Sequence, residues 1–294
     1  MGIPKYQFDR ILTVSIGAQG GAGLLIKDVR ISAQITKTST GEPNSATISI
    51  YNLSETTRNK LNKLDALVYV EAGYIDASNK DIVFAGTVIS VTHTYPRPDV
   101  VTVIKAGDGC AFLRKSTFTK SYTAGTSAKK VLEDSVASLN LPDNIKALSG
   151  EIIDKALQSG FAAMADSKST IDKMTRILGL TWSIQNNQFK VVSLRAGDKT
   201  RTVRLTPETG LIGSPEKTTD ITLDTSNESD VDGKQKKYSG WKIKCLLMPK
   251  AEPGGILELS SRDVPKATYK IISVDHQADN FEGDFITEMT VMLL

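Results

Sequence analysis

The side chains best suited to acid–base or metal chemistry are the two histidines of the chain, His93 and His276. A catalytic histidine needs a nucleophile within hydrogen-bond reach and a third group that orients its ring. No Gly-x-Ser-x-Gly elbow is present, because Ser149 and Ser214 lack glycines two residues before and two residues after them. A zinc site needs clustered ligands at short spacing, which are absent here. The sequence therefore predicts no catalytic, cofactor-binding or metal-ligating residue and no enzymatic activity.

Two other segments match ligand-binding loops only in part. Residues 17–23 are rich in glycine, but the alternating apolar residues after them predict a strand, whereas a dinucleotide site requires a helix there. Residues 228–233 (ESDVDG) begin with glutamate where a calcium loop has aspartate, and the twelfth position is Ser239 instead of glutamate. We therefore expect a hairpin loop in the first segment and no bound calcium in the second.

Composition excludes several broad classes of protein. The net charge is only +3 and no long basic run is present, so the chain lacks the electrostatic signature of a nucleic-acid-binding protein. The cysteines, Cys110 and Cys245, are isolated, which predicts two reduced thiols without a disulfide. No apolar run reaches the ~20 residues of a membrane span. We expect no membrane anchor and no secretion signal.

The histidines lie in two copies of one strand pattern. Residues 88–93 read VISVTH and residues 271–276 read IISVDH, and both alternate in the manner of a strand. Each copy is followed by a polar loop and an Asp-x-x-Thr strand, which begins at Asp99 in the first copy and at Asp284 in the second. A hairpin loop absorbs the small difference in spacing. We interpret the chain as two related β units, in which the histidines share a structural role such as hydrogen-bonding the adjacent loop.

The first unit is predicted to span residues 1–108. It contains many short strand patterns and one short helix, residues 55–63, for which Ser54 is a suitable N-cap. This arrangement is typical of a partly closed antiparallel barrel or a sandwich.

Residues 109–200 are predicted to form a small α/β domain. Residues 127–139 carry apolar side chains at helical spacing. A second helix is predicted from Ser169, with Asp172 three residues later as in a capping box, and Gly179 is placed to end it.

A strand hairpin is predicted to follow that second helix. Asn186 and Asn187 lie between two strand patterns, and asparagine tolerates positive φ, so the turn is expected to be tight. We interpret Trp182, on the first of these strands, as a core residue. The domain shows no cluster of exposed aromatic side chains, and we interpret it as a spacer or interaction domain.

The second β unit is predicted to span residues 201–294. It contains a polar tract, residues 216–237, with almost no apolar side chains. We expect a mobile surface loop at about residues 214–238, followed by strands that end with the second histidine copy.

Several segments together resemble the baseplate hub proteins of contractile-tailed bacteriophages, which are related to the N-terminal region of type VI secretion spikes. They are residues 50–54 (IYNLS), 71–74 (EAGY), 84–86 (FAG), 88–93, 177–182 (ILGLTW), 209–215 (TGLIGSP), 246–249 (LLMP), 253–255 (PGG), 269–276 and 284–287. They follow the family's order over nearly the whole chain.

The resemblance implies a mainly β fold with a small α/β insertion, in which two tube-type antiparallel β-barrels are related by internal duplication. It implies a structural, non-enzymatic homotrimer whose six barrels adapt a sixfold tail tube to a threefold spike. The tape-measure protein and DNA would occupy the channel transiently. The location implied is the tail baseplate of the virion, after assembly in the host cytoplasm. Two alternatives stay open: a hub or spike component of a tailocin or type VI secretion apparatus, and a cell-wall hydrolase of the tail tip.

Overall fold

The computed structural model describes residues 9–17, 23–61, 66–75, 80–109, 113, 116–140, 146–147, 153–186, 188–193, 196–222, 237–264 and 266–294. Most of the predicted glycine loop, Cys110, Asn187 and the calcium-like segment 228–233 lie outside the described residues.

The chain is mainly β, with three α-helices in the described part. The strands are β1 (Arg10–Gly17), β2 (Gly23–Ile26), β3 (Ile31–Thr38), β4 (Ser45–Tyr51), β5 (Leu67–Tyr74), β6 (Lys80–Thr94), β7 (Val101–Gly107), β8 (Thr117–Tyr122), β9 (Lys146–Ala147), β10 (Phe161–Asp166), β11 (Leu180–Gln185), β12 (Gln188–Ser193), β13 (Asp198–Leu205), β14 (Leu211–Thr222), β15 (Lys237–Leu246), β16 (Gly255–Leu259), β17 (Ala267–Asp279) and β18 (Phe285–Leu293). The helices are α1 (Glu55–Leu61), α2 (Ala128–Ala137) and α3 (Ser167–Leu178). We call β1–β7 unit 1, β8–β12 with α2 and α3 the insertion, and β13–β18 unit 2.

One large sheet runs through both units. Its strand order is β14-β15-β18-β17-β3-β4-β7-β6-β5-β1-β2, and β16 and β13 extend from the side of β17. The long strand β17 makes this possible, because its first part pairs with β16 while residues 273–279 pair with β3. Unit 2 is thereby hydrogen-bonded directly to unit 1.

The prediction of two antiparallel barrels is therefore correct for the β content and wrong for the closure. In the part of the chain that is described, the sheet does not close on itself, and β2 and β14 lie at its opposite ends. The pairing of β13 with β16 is also parallel. Sequence periodicity reports which face of a strand is buried, but not which strand lies beside it, so it could not reveal the shared edge.

The two units place their strands in the same order. Read across the sheet, unit 1 has the order β3-β4-β7-β6-β5-β1 and unit 2 has the order β14-β15-β18-β17-β16-β13. Each of these six strands thus has a counterpart in the other unit, at the same rank along the chain. The units differ in two respects. Strand β2 has no counterpart in unit 2, and β1 pairs antiparallel with β5, whereas the corresponding strands β13 and β16 pair parallel.

The insertion has its own apolar core, built from α2, α3 and the hairpin β11–β12. Trp182 is 4% exposed and stacks on Phe189 with 5.3 Å between ring centroids, which confirms its predicted core position. Gly179 ends α3 at φ 71°, as predicted. The predicted start of α3 is wrong, because the helix begins two residues before Ser169 and its N-cap is Asp166.

Strand β14 reaches into the tract that the sequence assigned to a mobile loop. Residues 216–222 pair with β15 across two irregularities in register, and β15 begins at Lys237. The polar residues of this stretch lie at a sheet edge, where one face and one backbone edge are open to water, so polarity did not exclude a strand. The remainder of the tract, residues 223–236, lies outside the described residues.

Candidate functional site

The two histidine hairpins have the same local geometry. In β6 the register against β7 shifts between Val88 and Ser90, and in β17 the register against β18 shifts between Ile271 and Ser273. Both shifts fall at the same position of the repeated pattern, so each hairpin carries a one-residue bulge there.

Both histidines also bind the same kind of partner. His93 Nδ1 lies 3.1 Å from Thr102 Oγ1, and His276 Nδ1 lies 2.9 Å from Thr287 Oγ1. The threonines belong to the Asp-x-x-Thr strands β7 and β18. The expectation that the histidines bond an adjacent loop is therefore wrong, because their partners lie on the neighbouring strand. Neither threonine is arranged as a nucleophile in a catalytic triad, since no third group orients the ring from its Nε2 side in the described residues.

The surroundings of the two rings differ. His93 is partly buried, whereas His276 is 1% exposed. Burial lowers the pKa of His276 to about 3, and the charge of Lys37 adds to this effect while Glu252 opposes it. His276 is therefore neutral at physiological pH and acts as a packed hydrogen-bonding residue.

Unit 1, the insertion and unit 2 meet at a buried polar cluster, which we call the junction. Hydrogen bonds across units connect its members, which are all buried except the partly exposed Asn186: Lys37, Asn44, Asp108, Gln185, Asn186, Lys190 and Glu252.

Asn186, at the tip of the β11–β12 hairpin, is the centre of the junction. Its φ of 55° confirms the predicted positive-φ turn. Its side-chain oxygen accepts hydrogen bonds from Lys37 Nζ at 3.2 Å and from the Ala85 amide at 3.1 Å, both in unit 1. Its side-chain amide donates to Glu252 Oε1 of unit 2 at 3.0 Å. One side chain of the insertion therefore contacts both β units.

A second set of bonds fixes the hairpin against unit 1. Asn44 Nδ2 donates to the Ile184 carbonyl at 2.8 Å and to Gln185 Oε1 at 2.9 Å. Gln185 Nε2 donates to the Thr38 carbonyl at 2.8 Å, and the Asn186 amide donates to Asp108 Oδ2 at 2.6 Å. Buried polar groups with this many partners favour one relative placement of the hairpin and the sheet.

Glu252 is a buried carboxylate that faces several cations. It bonds Lys190 Nζ at 2.7 Å and Arg201 Nη1 at 3.0 Å, and its side chain is 3% exposed. Burial acts to raise the pKa of Glu252, but the charges of Lys37, Lys190 and Arg201 outweigh it and hold that pKa below its usual value. Burial lowers the pKa of Lys37, although Glu252 and Asp108 oppose the effect. The arrangement compensates charge and leaves no position for a reacting substrate.

The sequence analysis did not identify Lys37, Asn44 or Glu252. One signal was available for Lys37: the inward positions of β3 are residues 31, 33, 35 and 37, so the strand period places this lysine on the buried face. Asn44 and Glu252 lie in turns, where no periodicity predicts burial.

The face of the sheet opposite the cores is mainly polar across six neighbouring strands, from β14 to β4, apart from a small apolar cluster of Ile221, Tyr238, Ile272 and Met292. One cross-strand row on this face runs through Ile212, Lys244, Glu288, Asp275, Thr36 and Ser45. Lys244 lies 3.5 Å from Glu288, and Thr36 donates to Asp275 at 2.7 Å. Charges of both signs lie in this row, one cationic and two anionic, which does not favour strong binding of a polyanion.

Two depressions in the described residues have polar linings. A cavity of about 500 Å³ lies beside Arg30, whose guanidinium already pairs with Asp279 at 3.1 Å and lies over the Tyr51 ring. A second depression, of about 480 Å³, lies on the polar face around Lys242 and Glu288. No group of three or more His, Cys, Asp or Glu side chains in the described part of the chain could hold a metal ion. No described helix is long and apolar enough to cross a membrane.

The remaining residues considered from the sequence are dispersed. Cys245 is a buried free thiol in β15, and burial raises the pKa of this thiol to about 12. Ser214 lies in β14, where its hydroxyl donates to Asp263 at 2.6 Å. Cys245 Sγ donates to the Thr287 carbonyl at 3.5 Å, so Cys245 and His276 share Thr287 as a partner without bonding each other, and Ser149 lies outside the described residues.

A protein-family model described as baseplate hub gp41 matches residues 11–223. The match includes unit 1, the insertion and the beginning of unit 2. A search of curated proteins found no significant match.

Solved structures with the same fold come from phage tails and secretion systems. The 43 kDa tail protein of prophage MuSo2 from Shewanella oneidensis aligns over 96% of this chain and 98% of its own, at a TM-score of 0.64 and 8% identity. A tail protein from Neisseria meningitidis aligns over 95% of this chain and 96% of its own, at a TM-score of 0.63 and 11% identity. The Escherichia coli c3393 protein, which is described as a type VI secretion component, aligns over 90% of this chain and 74% of its own, at a TM-score of 0.58 and 10% identity. Identities this low establish a shared fold and nothing further.

Proposed function

Because the chain belongs to the baseplate hub gp41 family, we propose that it is the structural hub of a contractile phage tail. It acts without catalysis, as a ring that adapts the tail tube to the spike. Its location in this proposal is the baseplate of the virion, after assembly in the host cytoplasm.

The observation that carries this proposal is the correspondence between unit 1 and unit 2. Six strands follow the same order in each unit, and both hairpins carry a bulge and a His–Thr hydrogen bond at matching positions. We infer that the units arose by internal duplication. Three chains then supply six like units, so that a threefold ring presents a quasi-sixfold surface. The three-domain division at residues 1–108, 109–200 and 201–294 belongs to this proposal, although β13 spans its second boundary.

The ring gives a role to the polar face. We place this face toward the central channel, because its side chains are mainly polar and it carries charges of both signs. A channel of that kind lets DNA and the tape-measure protein pass without strong binding. The tube protein then stacks on one rim and the spike protein on the other.

The second candidate is a hub or spike component of a tailocin or type VI secretion apparatus. The shared fold with the E. coli c3393 protein favours it, since that protein is described as a type VI secretion component. The two candidates share the trimeric ring and differ in what is attached to it. Co-purification with a phage tube and spike from infected cells supports the phage hub, whereas recovery with secretion components supports the alternative.

The first test is the mass of the purified chain in solution, measured by light scattering over a range of concentrations. One chain has a mass of 31.8 kDa. A species of three chains is expected, and a monomer that persists at the highest concentration overturns the self-assembling ring. A zymogram with cell-wall substrate tests the hydrolase alternative, and a cleared zone from the pure protein overturns the non-enzymatic role.

A further inference from the structure

Several backbone edges of the sheet have no partner strand in the part of the chain that is described, and two of them correspond to strands that join the units within one chain. The first is the outer edge of β14, which ends the sheet. The second is the last part of β6: residues 90–94 pair with β7 on one side, whereas β5 pairs with β6 only as far as Thr87. Unpaired strand edges present N–H and C=O groups that can pair with another chain.

The counterparts of these two edges pair with each other inside one chain. The counterpart of β14 is β3, and the counterpart of the end of β6 is the end of β17. β3 and β17 form an antiparallel ladder over residues 32–38 and 273–279. The chain therefore contains one completed contact between its units and the two halves of a second.

We propose that β14 of one copy pairs antiparallel with the end of β6 in a second copy, so that the β3–β17 ladder is repeated between chains. Each chain then offers one edge to each neighbour, and such a head-to-tail contact forms a closed ring when the rotation allows. The inference rests on the proposed ring and adds to it the strands that join the chains.

The register follows from the matched ladders inside the two units. Ala106 lies four residues after the threonine bonded to His93, and Val291 lies four residues after the threonine bonded to His276. Ala106 pairs with Ala46 in β4, and Ala46 pairs in turn with Ile35 in β3. Val291 pairs with Trp241 in β15, and Trp241 pairs in turn with Lys217 in β14. Ile35 and Lys217 therefore hold equivalent positions.

The pairs between chains can then be named. Within the chain, Ile35 pairs with His276, and Thr36 pairs with Asp275. By equivalence, Lys217 of one copy pairs with His93 of the next. Thr218 then pairs with Thr92.

The Thr218–Thr92 pair corresponds to a non-hydrogen-bonded antiparallel pair, the type with the shorter Cα–Cα distance. Ser39 N bonds the Ile272 carbonyl, and Asn280 N bonds the Ile31 carbonyl, so every second pair of the β3–β17 ladder is hydrogen-bonded. Thr36 and Asp275 fall between those pairs and form a non-hydrogen-bonded pair. Such pairs have Cα atoms about 4.5 Å apart, which lies within the range of about 4.4–6.8 Å that a disulfide spans.

The test is a disulfide between chains in the double variant Thr92→Cys/Thr218→Cys. Within one chain the two positions lie seven strand intervals apart in the sheet, so they cannot bridge internally. The matched control is Thr92→Cys/Lys217→Cys, because a shift of one residue turns the second thiol to the opposite face of the strand. The two single variants and the unmodified chain control for Cys110 and Cys245.

Mild oxidation is followed by non-reducing electrophoresis, with light scattering on the same samples. We expect a covalent trimer that reductant dissolves, formed at least tenfold more than in the control. A sample with the mass of three chains that cross-links no better than the control overturns the strand pairing and leaves the ring intact. A sample that remains monomeric at the highest concentration overturns both.

Discussion

At the scale of single residues, equal positions in the two units have acquired different surroundings. His93 and His276 both bond a threonine across a bulged hairpin, but only His276 lies beside the junction with Lys37 and Glu252. The hydrogen bond accounts for the shared residue type. The burial accounts for the lowered pKa of His276.

We expect His276 to make the protein less stable in mild acid. Its pKa is about 3 when folded against an ordinary 6.5, so the unfolded chain binds more protons between these values. The stability present above pH 6.5 falls as the pH drops through this window, by up to about 1.4 kcal/mol per pH unit. Urea unfolding between pH 7 and about 5 should show this slope in His93→Asn and a smaller one in His276→Asn. Equal slopes in the two variants contradict the assignment.

The Glu252→Gln substitution is expected to destabilise the chain by about 3–5 kcal/mol, because it leaves the buried Lys190 without its partner charge. The matched control is Glu258→Gln. Glu258 bonds Arg204 at 2.6 Å but both side chains are well exposed, so we expect about 0–1 kcal/mol there. Denaturant midpoints measure both values. Similar losses in the two variants argue against the junction as a stabilising centre.

At the scale of elements, the start of α3 shows how the neighbouring chain decides between two possible caps. Asp166 accepts a hydrogen bond from the Ser169 amide at 2.8 Å, as an N-cap does. Asp172, the expected partner in a capping box, instead accepts from Trp182 Nε1 at 2.6 Å. A strand that joins the helix without a loop placed the cap earlier than the sequence pattern indicated.

The Asp166→Ala substitution should therefore cost about 1 kcal/mol, the usual value of an N-cap side chain. Ser169→Ala keeps the backbone amide that the cap binds and removes an exposed hydroxyl that also bonds the Asp166 carboxylate, so its effect should be smaller, within about 0.5 kcal/mol. Thermal or urea unfolding compares the two. A larger loss in Ser169→Ala supports the start that the sequence predicted and contradicts the cap seen here.

At the scale of the whole molecule, the three parts are coupled in two different ways. Units 1 and 2 share the β3–β17 ladder, and the core of unit 1 includes Leu247, Ala278 and Phe285 from unit 2. The insertion has a separate core and is held through the junction, in which Asn186 at the hairpin tip contacts both β units. We expect the β units to unfold together and the insertion to depend on the junction.

The Asn186→Gly variant tests this coupling, because glycine tolerates the positive φ and removes only the side-chain bonds. In calorimetry, the insertion should melt as a separate transition below that of the β units. Asn140→Gly is the control, since Asn140 also has positive φ, at 50°, and is an exposed residue outside the junction. One unchanged transition in Asn186→Gly contradicts the coupling.

The sequence by itself determined the local features of this protein. Period-two patterns located the buried faces of the strands, Asn186 and Gly179 supplied the positive φ that their turns require, and the VISVTH and IISVDH segments identified two hairpins that the structure builds alike. These features depend on a few neighbouring residues, so a sequence pattern can record them.

Only the tertiary structure decided how these parts meet. The division of β17 between two partners, the burial of Lys37 and Glu252 and the open edges of β6 and β14 all join residues far apart in the chain. Strand pairing uses backbone groups that every residue carries, so no residue type records which edge lies beside which. The charge balance of the junction likewise arises only when three parts of the chain are brought together.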